Sequence, residues 1–195
     1  MRDPQRIRLL VYPTVFGALW GALEMTAGTA LHMMHFPFRG AMMAGLGAVL
    51  LSCERVYTPV RGATLATGLA AMAVKCLSLG GFKLGPTVGI LIESAVLEAV
   101  FTLFGTGTLP VFLGSVAACL EGIPHFFTTN WILYGRGVFD SYLQALSGVQ
   151  RLFGLPDGSW RALLALWLAG HLLLGAFWGL IAVAAVRRTG RARAT

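Results

Sequence analysis

The chain has 195 residues, 56% of them hydrophobic and only 12% charged, with a formal net charge of +7. A soluble domain carries about a quarter charged residues, so this composition excludes an ordinary soluble fold and points to one membrane domain spanning residues 1–195. Nine of the fifteen basic residues fall in the N-terminal tail, one short loop and the C-terminal tail, which marks topology rather than a phosphate-binding stripe and excludes nucleic acid as a partner.

Apolar runs separated by breakers predict an all-α integral membrane protein. Its six spans lie at about 9–34, 40–53, 63–79, 86–104, 109–134 and 160–186. The first run follows N-terminal arginines in the manner of a signal peptide, but it is too long for that and contains Glu24, so it reads as a retained helix. Gly17, Gly21, Glu24 and Gly28 share one of its faces, and Ala18 with Ala22 forms a parallel small-x-x-x-small pair. Such faces allow close helix approach, either inside the bundle or against a partner protein. At its outer end stand His32, Met33, Met34 and His35. These donors suit a soft metal or a metal-centred macrocycle, yet two histidines at i, i+3 are an incomplete site, and packing on an organic ligand or no ligand role stays open.

The stretch from Glu54 to Gly62 separates the second span from the third, which carries Lys75 and ends near Cys76. The glycine-rich segment from Gly80 to Thr87 lacks the order of a phosphate loop; it leaves Lys83 available for an anionic group of a substrate. Glu93 and Glu98 lie in the fourth span, and the fifth aligns Gly114, Ala117, Glu121 and His125 on one face. Between the fifth and sixth spans, Phe139, Tyr142, Leu146, Val149 and Phe153 recur at helical spacing opposite Asp140, Ser141, Gln144, Ser147 and Gln150. An amphipathic helix on the outer surface follows. The last span sets His171 on a stripe with Gly175 and Gly179.

Six spans place both termini on one side. That side collects Arg2, Arg6, Arg8, Arg55, Arg61, Arg187, Arg188, Arg191 and Arg193, against Arg39, Lys83, Arg136, Arg151 and Arg161 on the other. The positive-inside rule makes both termini cytoplasmic and the protein a multi-pass resident of the cytoplasmic (inner) membrane. Cys53, Cys76 and Cys119 show no metal-type spacing and read as buried thiols, with Cys76 set apart by its place before the glycine-rich loop. Trp20, Phe36, Phe38, Phe82, Tyr134 and Trp160 fall near predicted interfaces, as an aromatic belt would.

Glu24, Lys75, Glu93, Glu98 and Glu121 are ionisable groups within spans. At roughly 2.5–3.5 kcal/mol each, five unpaired charges would cost about 12–18 kcal/mol, more than a domain of this size has to spare. Internal pairs, Lys75 with a glutamate and Glu121 with His125, account for single residues. A polar cavity that holds a solute accounts better for the set, with Glu24 on an inner seam and His32 and His35 at the outer entrance. The zinc-hydrolase pattern H-E-x-x-H and the nucleophile elbow G-x-S-x-G are absent. The competing expectation is a membrane enzyme in which Glu121 and His125 act as an acid/base pair on a lipid-like substrate.

Taken together, the length, six spans, cytoplasmic termini and small-residue first helix resemble the S component of energy-coupling factor transporters, the membrane subunit that captures a vitamin or related micronutrient. The stretch LGPTVGILIESAVLEAV from Leu84 to Val100 is similar in style to the fourth span of several such subunits. The resemblance implies a non-enzymatic, high-affinity solute-binding subunit with no cofactor of its own. It would load from outside and hand over to a coupling subunit and two ATPase subunits, since the chain has no ATPase motif. It implies docking through Ala18 and Ala22, flanked by Gly17 and Gly21. It also implies solute binding under the three outer loops, among Glu24, His32, His35, Arg39, Cys76, Lys83, Glu93, Glu121 and His125. One cobalamin-specific branch uses a cysteine near the third loop as a cobalt ligand, which makes Cys76 with His32 and His35 a candidate axial set for a corrinoid solute.

Overall fold

The computed structural model describes residues 4–34, 36, 38–77, 84–156 and 158–194. Its elements are α1 (Pro4–Leu23), a π-helical turn (Glu24–Gly28), α2 (Thr29–Met33), α3 (Arg39–Tyr57), α4 (Ala63–Cys76), α5 (Leu84–Phe104), α6 (Thr108–Tyr134), α7 (Gly137–Leu152) and α8 (Trp160–Ala194). No strand occurs among the described residues.

Four stretches are long and apolar enough to cross a bilayer: Ile7–Met33, Gly85–Phe104, Thr108–Tyr134 and Trp160–Ala192. Their large apolar side chains stay exposed, as with Leu10, Leu103, Leu173 and Leu180, which in lipid costs nothing and in water would cost solubility. The chain is therefore a helical protein of membrane-embedded character. Helix α3, with 19 residues, is about 28 Å long at 1.5 Å per residue, but its last turns carry Ser52, Glu54 and Arg55. Helix α4, with 14 residues, reaches only about 21 Å.

Helix α3 also runs further than the apolar pattern suggests. The stretch from Glu54 to Tyr57, expected as the start of a loop, is its last turn, and Glu54 and Arg55 are buried there. Arg55 is thus not a loop charge: its Nη1 lies 2.9 Å from Glu98 Oε2, and its Nη2 donates to Thr102 Oγ1 at 3.2 Å. Glu98 in turn accepts from the main-chain N–H groups of Gly62 and Thr64 at the start of α4, at 2.8 and 3.1 Å. One carboxylate therefore ties α3, α5 and the otherwise unsatisfied N-terminus of α4.

Glycines set the closest helix approaches. A Cβ on Gly17 would stand 2.5 Å from Ala70 Cβ, and one on Gly21 would stand 2.6 Å from Val74 Cβ. The face expected to dock a partner is therefore divided. Gly17 and Gly21 are occupied by α4, while Ala18 and Ala22 remain exposed. Trp20 likewise departs from the belt position: it is fully buried in the core with Leu51, Ile90, Leu97 and Val111, against Gly47.

The two ends of the bundle differ. Tyr12 stacks on Tyr57 at 5.1 Å, Thr189 contacts Cys53 Sγ, and Arg187 donates to Thr108. Both terminal helices thus share an end with the loops around residues 58–62 and 105–107. The opposite end gathers His32, Phe36, Phe38, Arg39 and Gly40 with the start of α5 and α7. Expected as the polar side of α7, Gln150 is instead buried: with its amide oxygen turned to the main-chain N–H groups of Ser159 and Trp160, it caps α8.

Candidate functional site

A π-helical turn begins at Glu24, where the first membrane helix would otherwise continue regularly. Such turns insert one residue into the ladder and are frequent at functional sites. Lys75 of α4 donates from Nζ to the Glu24 carbonyl at 2.6 Å and stands 3.6 Å from Glu24 Oε2. Both side chains are buried, so neither charge is left to lipid.

Glu93 of α5 lies within electrostatic reach of both Glu24 and Glu121, which brings three carboxyl groups from three helices together. Lys75 offsets one of them. Oε2 of Glu93 and Oε2 of Glu121 are shut off from solvent with no hydrogen-bond partner among the described residues. Two orphaned acceptors on one acidic floor are costly, and a donor or a positive group brought by a ligand would satisfy them.

His125 sits one turn beyond Glu121 on α6. Its Nε2 contacts the Gly85 carbonyl at 2.9 Å; a carbonyl only accepts, so Nε2 carries the hydrogen. Nδ1 then faces Glu121 Oε1 at 3.7 Å, an ion-pair distance rather than a hydrogen bond. Gly89 leaves space beside both groups, since a Cβ there would lie 3.6 Å from His125 Nε2 and 3.9 Å from Glu93 Oε1.

These groups line one cavity of about 1290 Å³. Glu24, Lys75, Glu93, Glu121 and His125 are among its polar lining. Its walls are aromatic: Phe126 packs on Tyr142 at 5.1 Å, Phe127 stacks on Phe139 at 6.0 Å, and Trp167 meets His171 edge-on at 4.7 Å. The apolar side of α7, through Phe139, Tyr142 and Leu146, thus closes over the cavity. Phe38, in the left-handed conformation at φ 61°, opens α3 and places its ring 5.2 Å from that of His171. His171 donates from Nδ1 to the Trp167 carbonyl at 2.9 Å, which leaves Nε2 for the cavity side.

Of the residues singled out in the sequence, Glu24, His32, Arg39, Glu93, Glu121 and His125 line this cavity, with His32 and Arg39 exposed at its rim. His35 and Lys83 lie outside the described residues. Cys76 is exposed and absent from the lining, so the axial set of Cys76, His32 and His35 is not assembled by the described residues. Among those residues, no group of three or more His, Cys, Asp or Glu is spaced to hold a metal ion. Sequence reasoning passed over Lys75 as a site residue, and with it Trp167, Phe126 and Phe127. The small-residue stripe of His171 and Gly175 was the one available signal for α8.

Comparison of the chain with protein-family models, curated proteins and solved structures returns no match.

Proposed function

We propose that the chain is a solute-binding membrane subunit for uptake of a micronutrient, of the S-component kind. The observation that carries this reading is the convergence of Glu24, Lys75, Glu93, Glu121 and His125 on one cavity, five ionisable groups that a purely structural bundle would not need. The volume, about 1290 Å³, exceeds the few hundred to roughly 1000 Å³ usual for drug-sized ligands and suits a vitamin-like or tetrapyrrole-like molecule better than an ion. Unpartnered acidic oxygens on the floor favour a solute presenting N–H or O–H donors or a positive charge, and the aromatic walls favour a ring body.

On this reading α1 with α2, α3, α4, α5, α6 and α8 make six crossings, and α7 lies at the outer surface as a cap. The cavity end faces outward and both termini are cytoplasmic, consistent with Arg61, Arg187, Arg188 and Arg191 at the other end. Ala18 and Ala22 are the exposed small residues left for a coupling subunit, which with two ATPases would drive release inward. The contact of Glu121 with His125 is what the alternative, an acid/base enzyme on a lipid-like substrate, would use.

Native mass spectrometry with an absorption spectrum, on protein extracted gently from its native membrane, tests the reading. The expected result is a stoichiometric small molecule, bound and unchanged. A chain that carries no solute, binds none from a panel of vitamins and tetrapyrroles, or converts a lipid would overturn it.

A further inference from the structure

At the end of the bundle away from the cavity, Glu54 is fully buried, at 0% exposure, and neither carboxylate oxygen has a hydrogen-bond partner among the described residues. Thr58 and Thr64 are also fully buried, and their hydroxyls are likewise without partners. Four of the buried side-chain oxygens that lack partners thus belong to the last turn of α3, the residue that caps it, and the first turn of α4. Thr67, buried one turn beyond Thr64, donates its hydroxyl hydrogen to the Ala63 carbonyl at 3.0 Å, which leaves its oxygen lone pairs free to accept.

The Thr58 and Thr67 hydroxyls lie near enough to the Glu54 carboxylate to act on it as weak donors, but neither meets the distance and angle of a formed hydrogen bond. The charges do not balance either. Arg55 is the adjacent cation, but its guanidinium goes to Glu98, Thr102 and the Val60 carbonyl. No basic group among the described residues pairs with Glu54, and Arg61 is exposed. Arg55 makes its ion pair with Glu98, so Glu54, when ionised, adds a negative charge that no ion pair among the described residues offsets.

We propose that Glu54, Thr58, Thr64 and Thr67 form a binding site for a monovalent cation of sodium size. Hard oxygen donors, one carboxylate and neutral hydroxyls, match a hard cation, and a single surplus negative charge matches a single positive one. The ion ties the end of α3 to the start of α4, beside the brace that Glu98 makes. Nothing in the site depends on which solute fills the cavity, or on there being one.

Thermal melting of the purified full chain in detergent tests this, with sodium, lithium, potassium or choline chloride at constant ionic strength. Sodium should raise the midpoint in proportion to the logarithm of its concentration, and choline should not. Glu54→Gln should abolish that dependence. Equal midpoints in all four salts, or a sodium dependence that survives Glu54→Gln, would overturn the proposal. Should Glu54→Gln fail to yield folded protein, equilibrium binding of radioactive sodium to wild type, Thr58→Val and Thr64→Val decides. A single ion bound by wild type, with weaker affinity in both variants, is expected; no binding by wild type, or unchanged affinity in both variants, would refute it.

Discussion

Glu93 and Glu98 lie five positions apart on the same helix, and their surroundings are opposite. Glu98 accepts from Arg55, Gly62, Thr64 and Thr102, so nearly every lone pair has a donor. Glu93 has an oxygen with no partner and two further carboxyl groups for neighbours. The first arrangement stabilises a fold, because a buried charge that is paired and hydrogen-bonded costs little to keep. The second is unfavourable for the fold alone, which is what the proposed solute site would need. On the proposed reading, five ionisable residues inside apolar helices thus divide into a brace and a floor for the solute.

The largest expected effect comes from breaking the brace. Glu98→Ala leaves Arg55 buried without its partner and returns two N–H groups of α4 to an unsatisfied state, which should cost about 3–5 kcal/mol in denaturant unfolding in detergent. Next is the α1 and α4 seam: Gly17→Val forces a side chain into Ala70 and the Thr67 carbonyl and should cost about 1–3 kcal/mol. The neighbouring Ala18→Val, on an exposed position, should stay within about 0.5 kcal/mol of wild type in the same assay while, on the proposed reading, disturbing co-purification with a coupling subunit. If Ala18→Val proves as costly as Gly17→Val, the division of this face is wrong. Gln150→Ala, which removes the cap on α8, should cost about 1 kcal/mol. The smallest effect on stability belongs to Glu93→Gln, since an amide removes the cost of burying a carboxylate and its repulsion from Glu24 and Glu121: its midpoint should match or exceed that of wild type.

Much of this was legible in the chain. Hydropathy and breakers locate each long helix, small-residue faces single out Glu24 and Glu121, and Glu93 stands out only as an ionisable group within a span. Lys75 is missed as a lining residue, because it reads equally well as a mere partner for a glutamate; it is both partner and lining. Glu54 and Arg55 looked like the start of a loop, since polar residues end an apolar pattern whether the helix ends or not. What pairs Arg55 with Glu98, 43 residues away, is the packing of α3 on α5, and no periodicity along one helix records it. Gln150 shows the same limit: spacing put it on the polar side of α7, and only the return of α8 buries it. Trp20 was misplaced because an aromatic ring suits a membrane interface and a core cleft over glycine equally well.

The most direct test of the division is a side-by-side measurement on Glu93→Gln and Glu98→Gln, each scored for thermal midpoint and for solute retained after gentle extraction from the native membrane. Glu93→Gln should melt no lower than wild type and carry no solute, while Glu98→Gln should melt clearly lower and keep its share of solute in the folded fraction. Two variants that lose stability alike and retain solute alike would contradict the account, because the two carboxylates would then do the same work.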